Sequence, residues 1–183
     1  MTFQTTALCS YEHGSQLAEA VAFLTEHRGQ VAFVTIDLGA NDILSGGGVP
    51  AVLANLPVIL GTLKAADPTV PIIGMSYYDP LLASVWFSTQ SVDAVEDEAE
   101  LAAALNGFLG GLYGLFGIPV ADVFGAFSTL DSTPVGSPPT PRNVLIICQL
   151  TWMCAGAPHG PDIHANNEGY GVIAQAFLPH VQS

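Results

Sequence analysis

Two stretches of this 183-residue chain carry residue types that could do chemistry. Near the C-terminus, PHGPDIHANNEGYG (158–171) sets His164 just after Asp162, behind the stiffening Pro161 and ahead of a helical pattern. A loop histidine held in this way is a candidate general base, its tautomer fixed by a carboxylate or by a backbone carbonyl. The plain alternative is a surface histidine without a role. In the second stretch, IDLGANDIL (36–44), an apolar run ends at Gly39 and Asn41 and Asp42 follow at once. Glycine permits a sharp turn there, and an asparagine amide just past a strand end can donate to a developing oxyanion. An Asx turn that merely ends the strand is the alternative. Neither stretch has a second His or Cys at ligand spacing, so no metal is expected, and the chemistry calls for no cofactor.

A base needs a nucleophile. TFQTTALCS (2–10) is rich in strand-forming residues and ends at Ser10, a few residues before a helical pattern begins. Strand, serine, turn and helix in that order expose a nucleophile at a sheet edge, against the reading of an ordinary loop serine. Ser76 in MSYYDP reads as pocket lining, and Ser45 as part of a Gly-rich loop. Cys9 has no cation nearby in sequence to lower its pKa.

The elements that must position these groups follow from periodicity. SQLAEAVAFLTEHRG (15–29) reads as a helix with Leu17, Val21 and Leu24 on one stripe and Gly29 as its stop. Apolar strands are expected over 31–39 and 70–78, and 118–127 reads as a further strand running into a loop. Between them, 51–67 reads as a helix interrupted near Pro57, and 93–115 as a long helix whose acidic start suits a helix N-terminus. STPVGSPPTPR (132–142) reads as a surface loop, and the chain closes in a helix capped by Asn166 or Asn167. Such alternation predicts one α/β domain over 1–183 with a mostly parallel sheet, its chemistry at the carboxyl ends of the strands.

Composition narrows the partners. Sixteen acidic residues against three basic ones give a formal charge of −13, a field that repels nucleic acid and anionic membranes and steers anionic substrates poorly. Neutral small molecules are favoured. The longest apolar run, LNGFLGGLYGLFGIPVADVFGAF, is broken by glycines, a proline and an aspartate, so no membrane span is expected. Cys148 and Cys154 frame ICQLTWMC and would close a short disulfide in an exported chain; a reduced buried pair is the other possibility. MTFQTTALCS has neither the basic nor the apolar region of a signal peptide.

Taken together, strand-GAND and the DIHxNxxGY helix start resemble blocks of the SGNH, or GDSL, hydrolases over roughly residues 15 to 181, and MSYYDP and TWMC are similar to lipase-like members. The resemblance implies a three-layer α/β/α sandwich with a flavodoxin-like sheet, secretion, and a serine carboxylic ester hydrolase acting on short neutral acyl esters. It implies an oxyanion hole at Asn41 with Gly39, and His164 as base; Asp162 is the obvious carboxylate for it, with a backbone carbonyl as the alternative that orients the ring. Two departures stand out. The family's Gly-Asp-Ser block is nowhere in the sequence, which leaves Ser10 as stand-in nucleophile, and the acid of many members lies three residues before the histidine, where this chain has Pro161. The alternative function is an inactive SGNH-fold protein that serves as a binding module. A sheet lacking the family's first strand would expose pairing groups that either the N-terminus or a second copy must cover, and a homodimer by strand exchange or edge pairing is expected.

Overall fold

The computed structural model describes residues 11–44 and 46–181. These form two compact units: the chain up to Gly74 with Gly114–Ile118, and Met75–Tyr113 with Pro119 onward. The architecture is α/β. Strands β1 (Val34–Ile36), β2 (Ile72–Met75) and β3 (Val120–Ala121) follow one another in that order in one sheet, and β1 and β2 run parallel in register from Val34 with Ile72 to Ile36 with Gly74.

In the first unit, α1 (Gln16–Glu26) starts where the Ser15 hydroxyl accepts the Ala18 N–H at 3.1 Å. It stops three residues short of Gly29, whose φ of +75° turns the chain toward β1. A short α2 (Ala40–Leu44) leads into α3 (Gly48–Ala66). The expected break at Pro57 does not occur. Val52, Leu56, Leu60 and Leu63 form one buried stripe on α3, which packs against α1 and α2. Burying each is worth about 1.5–3 kcal/mol, against about 3 kcal/mol for a proline in a helix, so packing carries the helix across the missing bond. α3 is also the one helix among the described residues long and apolar enough, by length and composition, to cross a membrane.

Two turns of this unit are tied by side chains. Arg28 donates to the Ala66 carbonyl, and Asp67 accepts from the Gly29 N–H at 2.9 Å and from both the hydroxyl and the N–H of Thr69. The Gly29 bond first, and then those from Thr69, hold the Asp67 carboxyl down at about 2.

The second unit contains α4 (Leu81–Thr89), most of α5 (Val92–Leu115), α6 (Val123–Ala126), the hairpin β4 (Pro134–Val135) with β5 (Thr140–Pro141), α7 (Arg142–Leu150) and α8 (Asn167–Val181). Leu82, Trp86, Val95, Phe127, Val144 and Ile147 are among its buried core. Helices α4 and α7 correspond to no expected element, and the 132–142 loop holds a two-stranded hairpin. The three expected strands are each shortened. An apolar run records burial rather than ladder pairing, and side-chain bonds cut the ladders off. Asp122 accepts the Gly125 N–H at 2.8 Å and opens α6, so 118–127 is strand for only two residues.

Candidate functional site

Each candidate group sits on backbone that the local sequence forces. Leaving β1, the chain reaches Gly39, which is buried with φ +123°, a conformation that residues with a Cβ rarely adopt. The Gly39 carbonyl accepts the Ile43 N–H at 3.2 Å and so closes the first turn of α2. Asn41 lies in that turn with its residue exposed, and Asp42 beside it accepts from the Asn55 amide of α3 at 3.1 Å. The GAND stretch is thus a strand end turning directly into a helix.

In the second unit, the histidine loop runs from the end of α7 to the start of α8, and backbone bonds close it like a hairpin. Thr151 bridges Ala165, the Trp152 N–H donates to the His164 carbonyl at 3.0 Å, and the Asp162 N–H donates to the Trp152 carbonyl at 3.2 Å. Cys148 and Cys154 form a disulfide with 4.9 Å between their Cα atoms, which settles the open alternatives for that pair and staples the last turn of α7 to the outgoing arm of the loop. On the returning arm, Asn166 caps α8, its side-chain oxygen accepting the N–H groups of Glu168 and Gly169 at 3.0 and 3.1 Å. Gly169 has to be glycine, since a Cβ there would run into the Leu150 carbonyl oxygen.

At the tip of the returning arm, Asp162 and His164 meet. One Asp162 oxygen accepts the His164 backbone N–H at 2.8 Å and lies 2.5 Å from His164 Nδ1. The backbone bond first, and the ring contact after it, hold the Asp162 carboxyl below its ordinary value, so it is an anion at neutral pH. With Nδ1 engaged, the tautomer that carries its proton there leaves Nε2 to accept one. The His164 side chain is 69 % exposed, open to an incoming molecule.

The structure therefore brings Asp162 to His164, and keeps Gly39 with Asn41 on one strand-to-helix turn. These two pairs belong to different units. Ser10 and Ser45 lie outside the described residues. Ser76 does not read as pocket lining: it is 9 % exposed, accepts the Phe124 N–H at 3.0 Å and donates to the Ala121 carbonyl at 3.3 Å. Tyr78 was the residue that sequence reasoning missed. Its hydroxyl donates to the Ile163 carbonyl at 3.1 Å, between the two members of the pair. The only signal was its place in MSYYDP, at the carboxyl end of a strand, where an α/β sheet collects its chemistry.

The described residues thus combine a parallel strand pair with an exposed, carboxylate-oriented histidine on the loop before the last helix. The family model for GDSL-like Lipase/Acylhydrolase matches residues 4–172. The chain belongs to that family, a class of ester hydrolases. Comparison with curated proteins and with solved structures finds no match.

Proposed function

We propose that this protein is a serine ester hydrolase acting, as a single domain, on short neutral acyl esters. The observation that carries the reading is the Asp162–His164 contact of 2.5 Å on an exposed loop, in a chain of a lipase and acylhydrolase family. In this reading the Ser10 oxygen attacks the ester carbonyl carbon as His164 Nε2 takes its proton. The carbonyl oxygen becomes an oxyanion that the Asn41 amide and the Gly39 N–H stabilise. The carbon–alkoxy bond then breaks, and His164 returns the proton to the departing alcohol. Water, deprotonated by the same histidine, releases the acid and regenerates the serine. Asp162 holds the ring and balances the imidazolium charge. No step calls for a metal or cofactor. The disulfide suits an oxidising, extracytoplasmic compartment. A homodimer belongs to the same reading, because among the described residues β1 ends the sheet order and an end strand offers a pairing edge.

The test is a fluorophosphonate probe combined with p-nitrophenyl acetate hydrolysis, with the adduct mapped by mass spectrometry. Labelling of Ser10 is expected, and His164→Ala should lower both labelling and turnover by at least a hundredfold. A protein that neither labels nor hydrolyses above buffer is a binding module instead. Labelling at a different serine would move the nucleophile and leave His164 in place.

A further inference from the structure

We infer that Tyr78 is a positioning residue for His164, joining the loop after β2 to the loop that carries the base. The inference rests on the proposed role of His164, and it adds a residue that acts on the base from another element.

The loop after β2 is held at every residue from 76 to 79. Ser76 is bonded to the β3–α6 turn through its N–H, which donates to the Ala121 carbonyl at 3.0 Å, and through its hydroxyl. Tyr77 is clamped on both sides by one side chain of α5: Asn106 accepts the Tyr77 N–H at 2.6 Å and donates to the Tyr77 carbonyl at 2.9 Å. Asp79 accepts the Leu81 N–H at 2.8 Å and so fixes the entry to α4. A short loop with this many side-chain bonds has few conformations left.

From this support Tyr78 reaches out. Its ring stacks on Phe127, with centroids 4.4 Å apart and planes 12° apart, and Phe127 is fully buried. Its hydroxyl donates to the carbonyl of Ile163 at 3.1 Å. That carbonyl belongs to the peptide unit whose nitrogen is the His164 N–H, the same N–H that Asp162 accepts. One planar peptide group is therefore gripped on its oxygen by Tyr78 and on its N–H by Asp162. Planarity makes the two grips interdependent. If the Tyr78 bond is lost, the peptide is free to tilt, and the Asp162 oxygen that serves both the N–H and the ring must follow one or the other. The disulfide and the backbone bonds hold the base of the loop, whereas Tyr78 holds its reactive end.

The experiment uses Tyr78→Phe in the full chain, which keeps the ring that stacks on Phe127 and removes the hydroxyl that donates to Ile163. The first readout is the low-field proton of His164 Nδ1 in histidine-labelled protein, read by NMR. The second is p-nitrophenyl acetate hydrolysis. Expected are broadening or loss of the low-field signal and a drop in kcat of about tenfold with KM nearly unchanged, the pattern of a misoriented base. An unchanged signal and unchanged kcat would overturn the inference. If the wild-type protein does not hydrolyse the ester, the proposed activity has failed and the NMR signal alone decides: broadened, Tyr78 positions the pair; unchanged, it does not. If Tyr78→Phe does not fold, a fluorinated tyrosine at 78 replaces it. That side chain keeps its shape and loses its proton nearer neutral pH, so the His164 signal should change along with its ionisation. A signal indifferent to that ionisation would overturn the inference equally.

Discussion

Asp79 shows what a single buried carboxyl does to the behaviour of the protein. One of its oxygens takes the Leu81 N–H, and the other is buried without a hydrogen-bond partner among the described residues. Burial, with a smaller push from Glu98, raises its pKa to about 7. An unfolded aspartate ionises near 4, so the folded chain keeps a proton that the unfolded chain releases in between. Stability should fall as pH rises from about 4 to about 7 and level off above that, by on the order of 4 kcal/mol. Asp79→Asn keeps the acceptor for Leu81 and should remove this slope, so that it is more stable than wild type at pH 8. Urea unfolding of both proteins at pH 4.5 and 8 checks this, and parallel pH profiles would refute it. Asp67 acts in the opposite sense, its lowered pKa lending stability that is lost as pH falls from about 4 toward 2. At this scale much of the site was legible. His164, Asp162, Asn41 and Gly39 stood out in the sequence because polar and turn-forming residues follow apolar runs there, and the structure places Asp162 against His164 and puts Gly39 and Asn41 on one strand-to-helix turn. Tyr78 was not, because an aromatic next to a strand has the look of core until its hydroxyl is seen to have a destination.

Among the elements, periodicity located α1, α5 and α8 well and the strands only by their centres. The shortening of 70–78 and 118–127 has one cause: local bonds from Asp122, Ser76 and Asn106 end the ladders earlier than hydrophobicity does. The helix α7 was hidden behind the proline-rich 132–142 segment, although Val144, Ile147 and Leu150 make a buried stripe. Its buried Asn143, which bonds the Thr129 carbonyl at 2.9 Å, breaks the apolar pattern at the helix start. The disulfide gives this scale its prediction. It spans six positions and ties α7 to the loop that carries His164. Reducing it, or replacing both cysteines by serine, should cost about 2 kcal/mol of stability and lower the rate of ester hydrolysis with it. A melting temperature that falls while the rate stays constant would separate the staple from the site.

For the whole molecule, charge and composition act together. A formal charge of −13 keeps copies apart at low ionic strength, while apolar side chains such as Leu115, 79 % exposed, and Phe87, 62 % exposed, favour association. Dimerisation should therefore strengthen with salt as the repulsion is screened. Light scattering at micromolar concentration in low and in physiological salt tests this, and a monomeric mass in both would dismiss the dimer. The fold class was readable because alternation of strand and helix is a global pattern that survives errors at every boundary.

Asn166 spans a junction whose meaning goes beyond capping. Its amide also donates to the Gln149 carbonyl at 2.6 Å, so the last turn of α7 and the first turn of α8 meet through one side chain. The Asn166 N–H bonds the Leu150 carbonyl at 2.9 Å, and the intervening residues leave and re-enter at nearly the same point. The histidine segment is in effect an Ω-loop inserted at a nearly head-to-tail helix joint. Such a module can change length or sequence at its tip without disturbing either helix. His164 thus sits on a loop whose neck is closed by Asn166, so that substitutions at the tip leave the bonds of the joint in place.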